Sequence, residues 1–599
     1  MQNAVGATLI WCLECGKSNA RMAAEKLARE ALHPGRNKMK RWLTAFCLAS
    51  LGLAALSSEG FAQTEADLKA DGNGKNTDSV LTYGMGYSQM RYSPLKQINK
   101  TSVRKLVPVW NTNLDNQFGE QAQPLVHDGV MYVTNAKLTM AISLDTGKPI
   151  WKQVLDWPPE TPRIVCCGIS NKGPALYNGK LYRTTLDAHV IAYDAKTGKE
   201  LWKSKAAEWK DGYSMTVAPL IANGVLVTGI SGAEFGIRGF IDGWDPETGK
   251  QLWRRFTIPE RGEKGNETWP AETDAWKTGG GSSWITGSYD PELDLMYWGV
   301  GNPAPWASQS RPGDNLYTSS VLAMRPKTGE IVWHYQFTPN DAYDYDSNWE
   351  MILAEIPYQS AQRKVLMQMN RNGFLYVLDR KDGKLLSAEP FEKVNWASHV
   401  DLKTGRPVET DVAKRLRNNE QVEHWPSTSG GKNWPHASYN PETGLLYAAT
   451  IHQGRLYKHL PTEAYKPGQR YMFVENLPLV KPPGEPQGHI DAVDPLTGKA
   501  KWRVPLMDFQ VWSAVMTTSG GLLFTGKETG EFIALDIDTG NSSGSSRPAP
   551  ASTPCQSPTR ITAVNMYPSC RALAASTGTS SANASRKSSR PAALCGPLR

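Results

Sequence analysis

Two short stretches of this 599-residue chain carry side chains whose type and spacing could do chemistry. The first is Cys166-Cys167, the only cysteines between residues 63 and 540. Adjacent cysteines cannot staple distant parts of a fold. In an exported protein they are either joined by an unusual bond to each other or are two reduced thiols in a core. The second is Asp344-Tyr345-Asp346. In an extended segment, carboxylates two residues apart point the same way, so the pair could face one cation; the plain alternative is an Asp-rich surface turn. No Cys-x-x-Cys-His haem signature occurs.

The elements that must position these residues announce themselves as a repeat. Ala-x-Asp, two residues, Thr-Gly, three residues, Trp runs from Ala192 to Trp202 and again from Ala492 to Trp502. Looser copies run from Ala141 to Trp151, Gly243 to Trp253 and Ala323 to Trp333. The phrase reads as a strand, a turn built on Asp and Gly, and a second strand carrying Trp. Alternating segments such as Gly129–Val133 and Gly224–Thr228 supply further strands. Four short strands per repeat make a propeller blade, and 21 Trp with 53 Gly and 40 Pro suit many turns rather than a helical bundle. Repeats of about fifty residues predict an all-β, eight-bladed β-propeller over 63–540, in which a Trp at a fixed place in each blade packs on the next. Unrelated hairpins in a sandwich are the competing fold.

The two ends read differently from the body. Met39-Lys40-Arg41, the apolar run Trp42–Leu56 and Gly60-Phe61-Ala62 form a secretory signal peptide over 39–62, which predicts export to the periplasm. Residues 1–38 precede a natural start and read as a spurious extension. Residues 541–599 hold 7 Lys/Arg and no acid, and residues 1–62 hold 8 Lys/Arg against 4 acids, so the formal charge of +8 leaves −3 on the body. The body therefore offers no electrostatic case for nucleic acid.

The last repeat begins as the others do, with Ala534, Asp536 and Thr539-Gly540, and then changes composition. The Ser-, Pro-, Ala- and Arg-rich segment 541–599 reads as a disordered tail. Residues 541–551 also admit codons whose shifted frame spells Leu-Phe-Trp-Lys-Phe-Gln-Thr-Gly-Ser-Gly, placing a Trp where the repeat demands it. We read this as a single-base frameshift near codon 541 that leaves the last blade incomplete.

Taken in order, Cys166-Cys167, Ser231-Gly232-Ala233-Glu234, Gly279-Gly280-Gly281 leading to Trp284, Gly301-Asn302-Pro303-Ala304-Pro305-Trp306, Thr338-Pro339-Asn340-Asp341, Arg371-Asn372-Gly373 and Trp512 resemble the pyrroloquinoline quinone (PQQ)-dependent alcohol dehydrogenases, over about residues 80 to 540. The resemblance implies oxidation of primary alcohols, with soluble cytochrome c as acceptor and a homodimeric assembly. It implies a vicinal disulfide at Cys166-Cys167 stacked on one face of PQQ, with Trp284 on the other. Thr216, Ser231, Gly232, Ala233, Ser282, Asn433 and Trp512 match positions that bond PQQ or line its pocket. Glu234, Asn302 and Asp344 match the metal ligands, hard oxygen donors for a hard cation. Asp346 adds a carboxylate found in lanthanide-dependent relatives, where the calcium-dependent ones resemble a small uncharged residue, so a lanthanide(III) is expected over Ca²⁺. Asp344 would also be the general base, and Arg371 would stabilise charge developing on the quinone oxygens.

Two positions depart from the family pattern. Gln121 stands where a Glu is usual, and Glu120, one residue earlier, would face the other side of an extended strand. Lys172 aligns with an Arg and keeps the charge without the bidentate fork. Ser282 replaces a more common Thr. Competing readings are a non-enzymatic exported propeller scaffold, a PQQ sugar dehydrogenase, and an inactive product of the frameshift.

Overall fold

The computed structural model describes residues 63–71 and 77–546, except 107, 117, 119, 167, 476, 509 and 528–529, together with the strands Arg560–Val564 and Ala572–Leu573. The extension 1–38, the proposed signal peptide 39–62, Cys167 and most of 541–599 lie outside the described residues.

The chain is an all-β propeller. Six of its sheets are four-stranded antiparallel meanders in chain order, beginning with Leu125–His127, Val130–Thr134, Leu138–Ser143 and Pro149–Val154 and ending with the sheet that carries Gly488–Val493 and Ala500–Leu506. A five-stranded sheet joins Tyr92–Ser93, in parallel, to Met516–Thr518 and then to Leu522–Gly526, Phe532–Asp536 and Ser542–Ser546. Pro108–Asn113 pairs with Arg560–Val564. Each sheet alternates because its inner strands are buried on both faces, as in Val225–Gly229, while outer strands such as Glu200–Lys205 are half exposed.

The repeated phrase has a tertiary meaning. In the third and fourth strands of a sheet Ala192 lies opposite Trp202, Ala323 opposite Trp333 and Ala492 opposite Trp502. A Cβ on Gly198 would stand 2.6 Å from the Trp151 ring, and one on Gly540 2.7 Å from Trp502, and both glycines hold φ of 73°. Glycine is thus required at these turns twice over, by conformation and by the indole lying against it. The indole N–H also donates across the sheets: Trp151 to the Ala195 carbonyl (2.9 Å), Trp253 to Pro326 (2.9 Å) and Trp502 to Ile537 (2.8 Å).

The final sheet does not stop at residue 540, as the expected boundary had it. Ser542–Ser546 is its outer strand, with Gly544 opposite Ala534, because ladder bonds use backbone groups that any residue supplies. Gly544 nevertheless stands where five of the described four-stranded sheets hold Trp and the sheet ending in Leu385–Pro390 holds Ser387, and a Cβ there would meet only Val103, at 3.8 Å.

Candidate functional site

In an antiparallel hairpin the start of the first strand and the end of the second lie at the same end. The candidate residues all fall there. Lys172, Thr216, Ser282, Trp284, Asp344, Asp346, Asn433 and Trp512 precede a sheet's first strand, and Ser231–Glu234, Asn302 and Arg371 follow a second strand. Cross-sheet backbone bonds tie the loops together: Lys172 N donates to Thr216 O (2.9 Å), Ser283 N to Ile230 O (2.7 Å) and Gly301 N to Ser282 O (2.7 Å). A side chain at Gly301 would collide with Asp346 Oδ1, so this glycine keeps room for the carboxylate.

Arg371 is the hub. Its Nη1 donates to Asp346 Oδ2 (2.8 Å), its Nη2 to Asp344 Oδ2 (3.0 Å) and its Nε to the Thr428 carbonyl (2.6 Å). Asp346 Oδ1 accepts from Asn302 N (2.9 Å), and the Trp284 side chain bonds the same carboxylate. The segment is not the extended strand that the alternating aspartates suggested. Asp344 has φ of 68°, and the loop is shaped by buried Asp341, which accepts from Tyr343 N (2.9 Å) and Tyr345 N (2.7 Å). The two carboxylates converge all the same, because one guanidinium bridges them.

Asn302 Oδ1 and Asp344 Oδ1 are buried without a hydrogen-bond partner. Such atoms are costly unless something else occupies them, and two hard oxygens aimed into a site already rich in carboxylate suit a hard cation. Burial raises the carboxyl of Glu234 to about 7, with Asp346 nearby adding to the rise. Asp344 is pushed well above its ordinary value, by burial first, and then by Asp346 and Glu234 against the opposing Arg371. Only a compensating positive charge keeps such a set ionised at neutral pH.

Beside this cluster lies an aromatic floor. Trp284 meets Trp349 edge-on at 5.5 Å, and Lys172 Nζ stands 4.8 Å from the Trp284 ring centroid. Burial lowers the Lys172 ammonium to about 7. It donates to Gln121 Oε1 (2.8 Å), whereas Glu120 turns the other way, accepts from Asn116 (2.6 Å) and Asn135 (3.1 Å), and is pushed by burial up to about 8. Thr216 and Ser231 hydroxyls share a bond of 3.2 Å. Asn433 donates to Ser429 O (2.7 Å), and Trp512 stacks on Trp434 at 6.4 Å, one residue further along. Gly232 adopts φ of 128° ahead of the single turn Ala233–Phe235 that carries Glu234. Cys166 is disulfide-bonded.

Trp349, Thr428 and the buried pair of Lys432 Nζ and Glu350 (2.8 Å) also build the site. Sequence reasoning passed over them. Trp349, three residues after Asp346, was the one with a visible signal.

Comparison with known proteins agrees with this geometry. The β-propeller domain family of glucose/ethanol/alcohol dehydrogenases matches residues 81–395, and the family of the outer membrane protein assembly factor BamB matches 486–595. The quinoprotein alcohol dehydrogenase PedH of Pseudomonas putida is 39% identical over 83% of this chain and 85% of its own length. The lanthanide-dependent methanol dehydrogenase of Methylacidiphilum fumariolicum is 37% identical over 83% and 84%. A solved europium-containing methanol dehydrogenase superposes with a TM-score of 0.75 at 34% identity, covering 79% of this chain and 86% of that one. With its propeller, its bridged aspartates and these relatives, the chain belongs to the PQQ-dependent alcohol dehydrogenase family.

Proposed function

We propose that the chain is an exported quinoprotein that oxidises primary alcohols to aldehydes in the periplasm and hands the electrons to a separate soluble cytochrome c. The observation that carries this reading is the split fork of Arg371, which fixes Asp344 through Oδ2 and leaves buried Oδ1 without a partner. PQQ, when bound, supplies the hydride acceptor, and a bound cation supplies Lewis-acid polarisation of its carbonyl.

The chain's own residues do the rest. Asp344 Oδ1 takes the hydroxyl proton of the alcohol while Arg371 keeps the carboxylate oriented. Trp284 and Cys166 are the residues that would flank PQQ, and Lys172 and Gln121 would hold one of its carboxylates. Glu234, Asn302, Asp344 and Asp346 hold the cation. Three carboxylates around one ion favour a trivalent lanthanide over Ca²⁺, and two of the similar proteins are named for a lanthanide. The family resemblance supports an external acceptor and a homodimer. An eight-bladed ring with tryptophan docking is supported by the succession of sheets and the indole contacts.

A dye-linked assay on the full chain with PQQ and either La³⁺ or Ca²⁺ tests the proposal. Primary-alcohol oxidation with La³⁺ and little with Ca²⁺ supports both halves. Activity with Ca²⁺ alone keeps the alcohol reading and removes the lanthanide. Silence with both, in folded protein, overturns it. One observation favours a second reading, an inactive frameshift product: Gly544 stands where the repeat calls for Trp. Independent reads of the coding DNA that reproduce the printed frame, and full activity of that product, would reject it.

A further inference from the structure

Between Arg371 and Trp512 in the chain, Glu392, His489 and Asp491 bring one oxygen or nitrogen each within 4.8 Å of one another. Glu392 follows the strand Leu385–Pro390, and the other two lie on Gly488–Val493 of the next meander. All three are buried, Asp491 completely. His489 Nδ1 and Glu392 Oε2 face each other at 3.6 Å, an ion-pair distance just beyond a hydrogen bond, both are buried with no closer partner, and Arg503 Nη1 lies 3.8 Å from Glu392 Oε1.

The propeller contains its own control. Asp491 lies directly across from Arg503, which grips both carboxylate oxygens (3.0 and 2.8 Å) and donates to the Phe391 carbonyl (2.9 Å). Asp242 lies across from Arg254 in the same way, gripped at 2.8 and 2.7 Å, and Arg254 donates to the Ala206 carbonyl (2.8 Å). The fork therefore occurs in two of the sheets, while the equivalent pairs elsewhere are Met140–Lys152, Ile191–Lys203 and Leu322–His334. The positions that correspond to His489 and Glu392 around Asp242 are Phe240 and Ala207. The scaffold does not need an imidazole and a carboxylate there, so their orphaned atoms call for another partner.

We propose that Glu392, His489 and Asp491 bind a divalent transition-metal ion of the zinc class, separate from the cofactor-site cation. One imidazole nitrogen and two carboxylates are a donor set for such an ion, with the remaining position open to water. The outer partners that fix ligating groups are in place. His452 Nδ1 meets Glu392 Oε1 at 2.8 Å, leaving Oε2 as the ligand, while His452 Nε2 is held by Glu485 at 2.8 Å. Arg503 and the Thr450 hydroxyl (3.0 Å) hold Asp491, both reaching Oδ2, and leave a lone pair on Oδ1 available.

The test uses the full chain, dialysed against chelator and then against Zn²⁺ alone, with metal content measured after desalting and zinc K-edge absorption recorded on the same samples. The variants are His489→Phe and Glu392→Ala, which copy residues the same scaffold already carries at the equivalent positions, and the isosteric Glu392→Gln. The wild type should hold one zinc per chain more than each variant, with imidazole and oxygen in the first shell, and Zn²⁺ should raise its Tm but not that of the variants. Equal zinc in wild type and His489→Phe, a sulfur-only shell, or no retained zinc would overturn the site.

Discussion

At Asp344 and Asp346 one arginine is divided between two carboxylates, whereas at Asp491 one arginine closes on a single carboxylate. Arg371 donates once to each aspartate and leaves Asp344 Oδ1 buried and unsatisfied. Arg503, like Arg254 in its own sheet, uses two N–H groups on one partner. The closed fork engages both oxygens of the carboxylate in holding two strands together and leaves no oxygen free of a donor, only a spare lone pair for the ion proposed above. The divided fork keeps one oxygen available for a proton or a cation while still supplying nearby positive charge. The same residue types thus serve architecture or chemistry according to how one guanidinium is shared.

The comparison can be broken most severely at Asp344. Asp344→Asn should lower kcat by about 10²–10⁴-fold, the usual reach of a general base, in protein that remains folded. Asp491→Asn should leave the kcat of the cofactor-loaded enzyme near wild type and cost stability instead. Its loss should stay below the about 3–5 kcal/mol of a fully buried pair, since Arg503 is 34% exposed. Steady-state kinetics and denaturant melts on both variants separate the two roles, and a stability-only effect at Asp344 would refute the distinction.

Arg371→Lys is the next largest. A lysine cannot reach both aspartates with fixed geometry, so kcat/KM should fall about 10–100-fold, the equivalent of about 1.4–2.8 kcal/mol, and Arg503→Lys should leave kcat/KM unchanged. Asp346→Ala sharpens the electrostatic side. Removing one of the converging carboxylates should move metal preference from La³⁺ towards Ca²⁺, read as a change in the ratio of activities with the two ions; an unchanged ratio would detach Asp346 from metal choice.

The effect with least bearing on catalysis concerns Glu120, a buried carboxyl with two amide donors. Its folded value of about 8 against an ordinary 4.5 means that the folded chain keeps a proton the unfolded chain has lost. Stability should therefore fall as pH rises from about 4.5 to about 8, by at most about 1.4 kcal/mol per unit. Glu120→Gln should match the wild type near pH 4 and exceed it above pH 8, as read from melts across that range. Parallel curves would show that the proton is not held there.

The repeat was legible because everything it needs is local. Asp and Gly make the turn, alternation makes the strand, and in most sheets a Trp four residues after the turn glycine lies against a neighbouring turn that has no Cβ to block it. Most of the candidate site was legible as motif, since Glu234, Asn302 and Arg371 each sit beside a glycine or proline that shapes their loop. The paired aspartates were read from strand periodicity, and there the local reasoning failed. Asp344 takes a positive φ, and Asp341 rather than a sheet ladder orients the turn.

By itself, then, the sequence determined the propeller repeat, the turn glycines and the stock of hard oxygen donors, because these depend on residues within about a dozen positions of one another. Tertiary structure alone decided which arginine is divided and which is closed, that Lys172 lies over Trp284, and that Glu392 meets His489 across 97 positions of chain. Those outcomes follow from which sheets pack side by side, and side-chain electrostatics acts over a few ångströms of space whatever the separation along the chain.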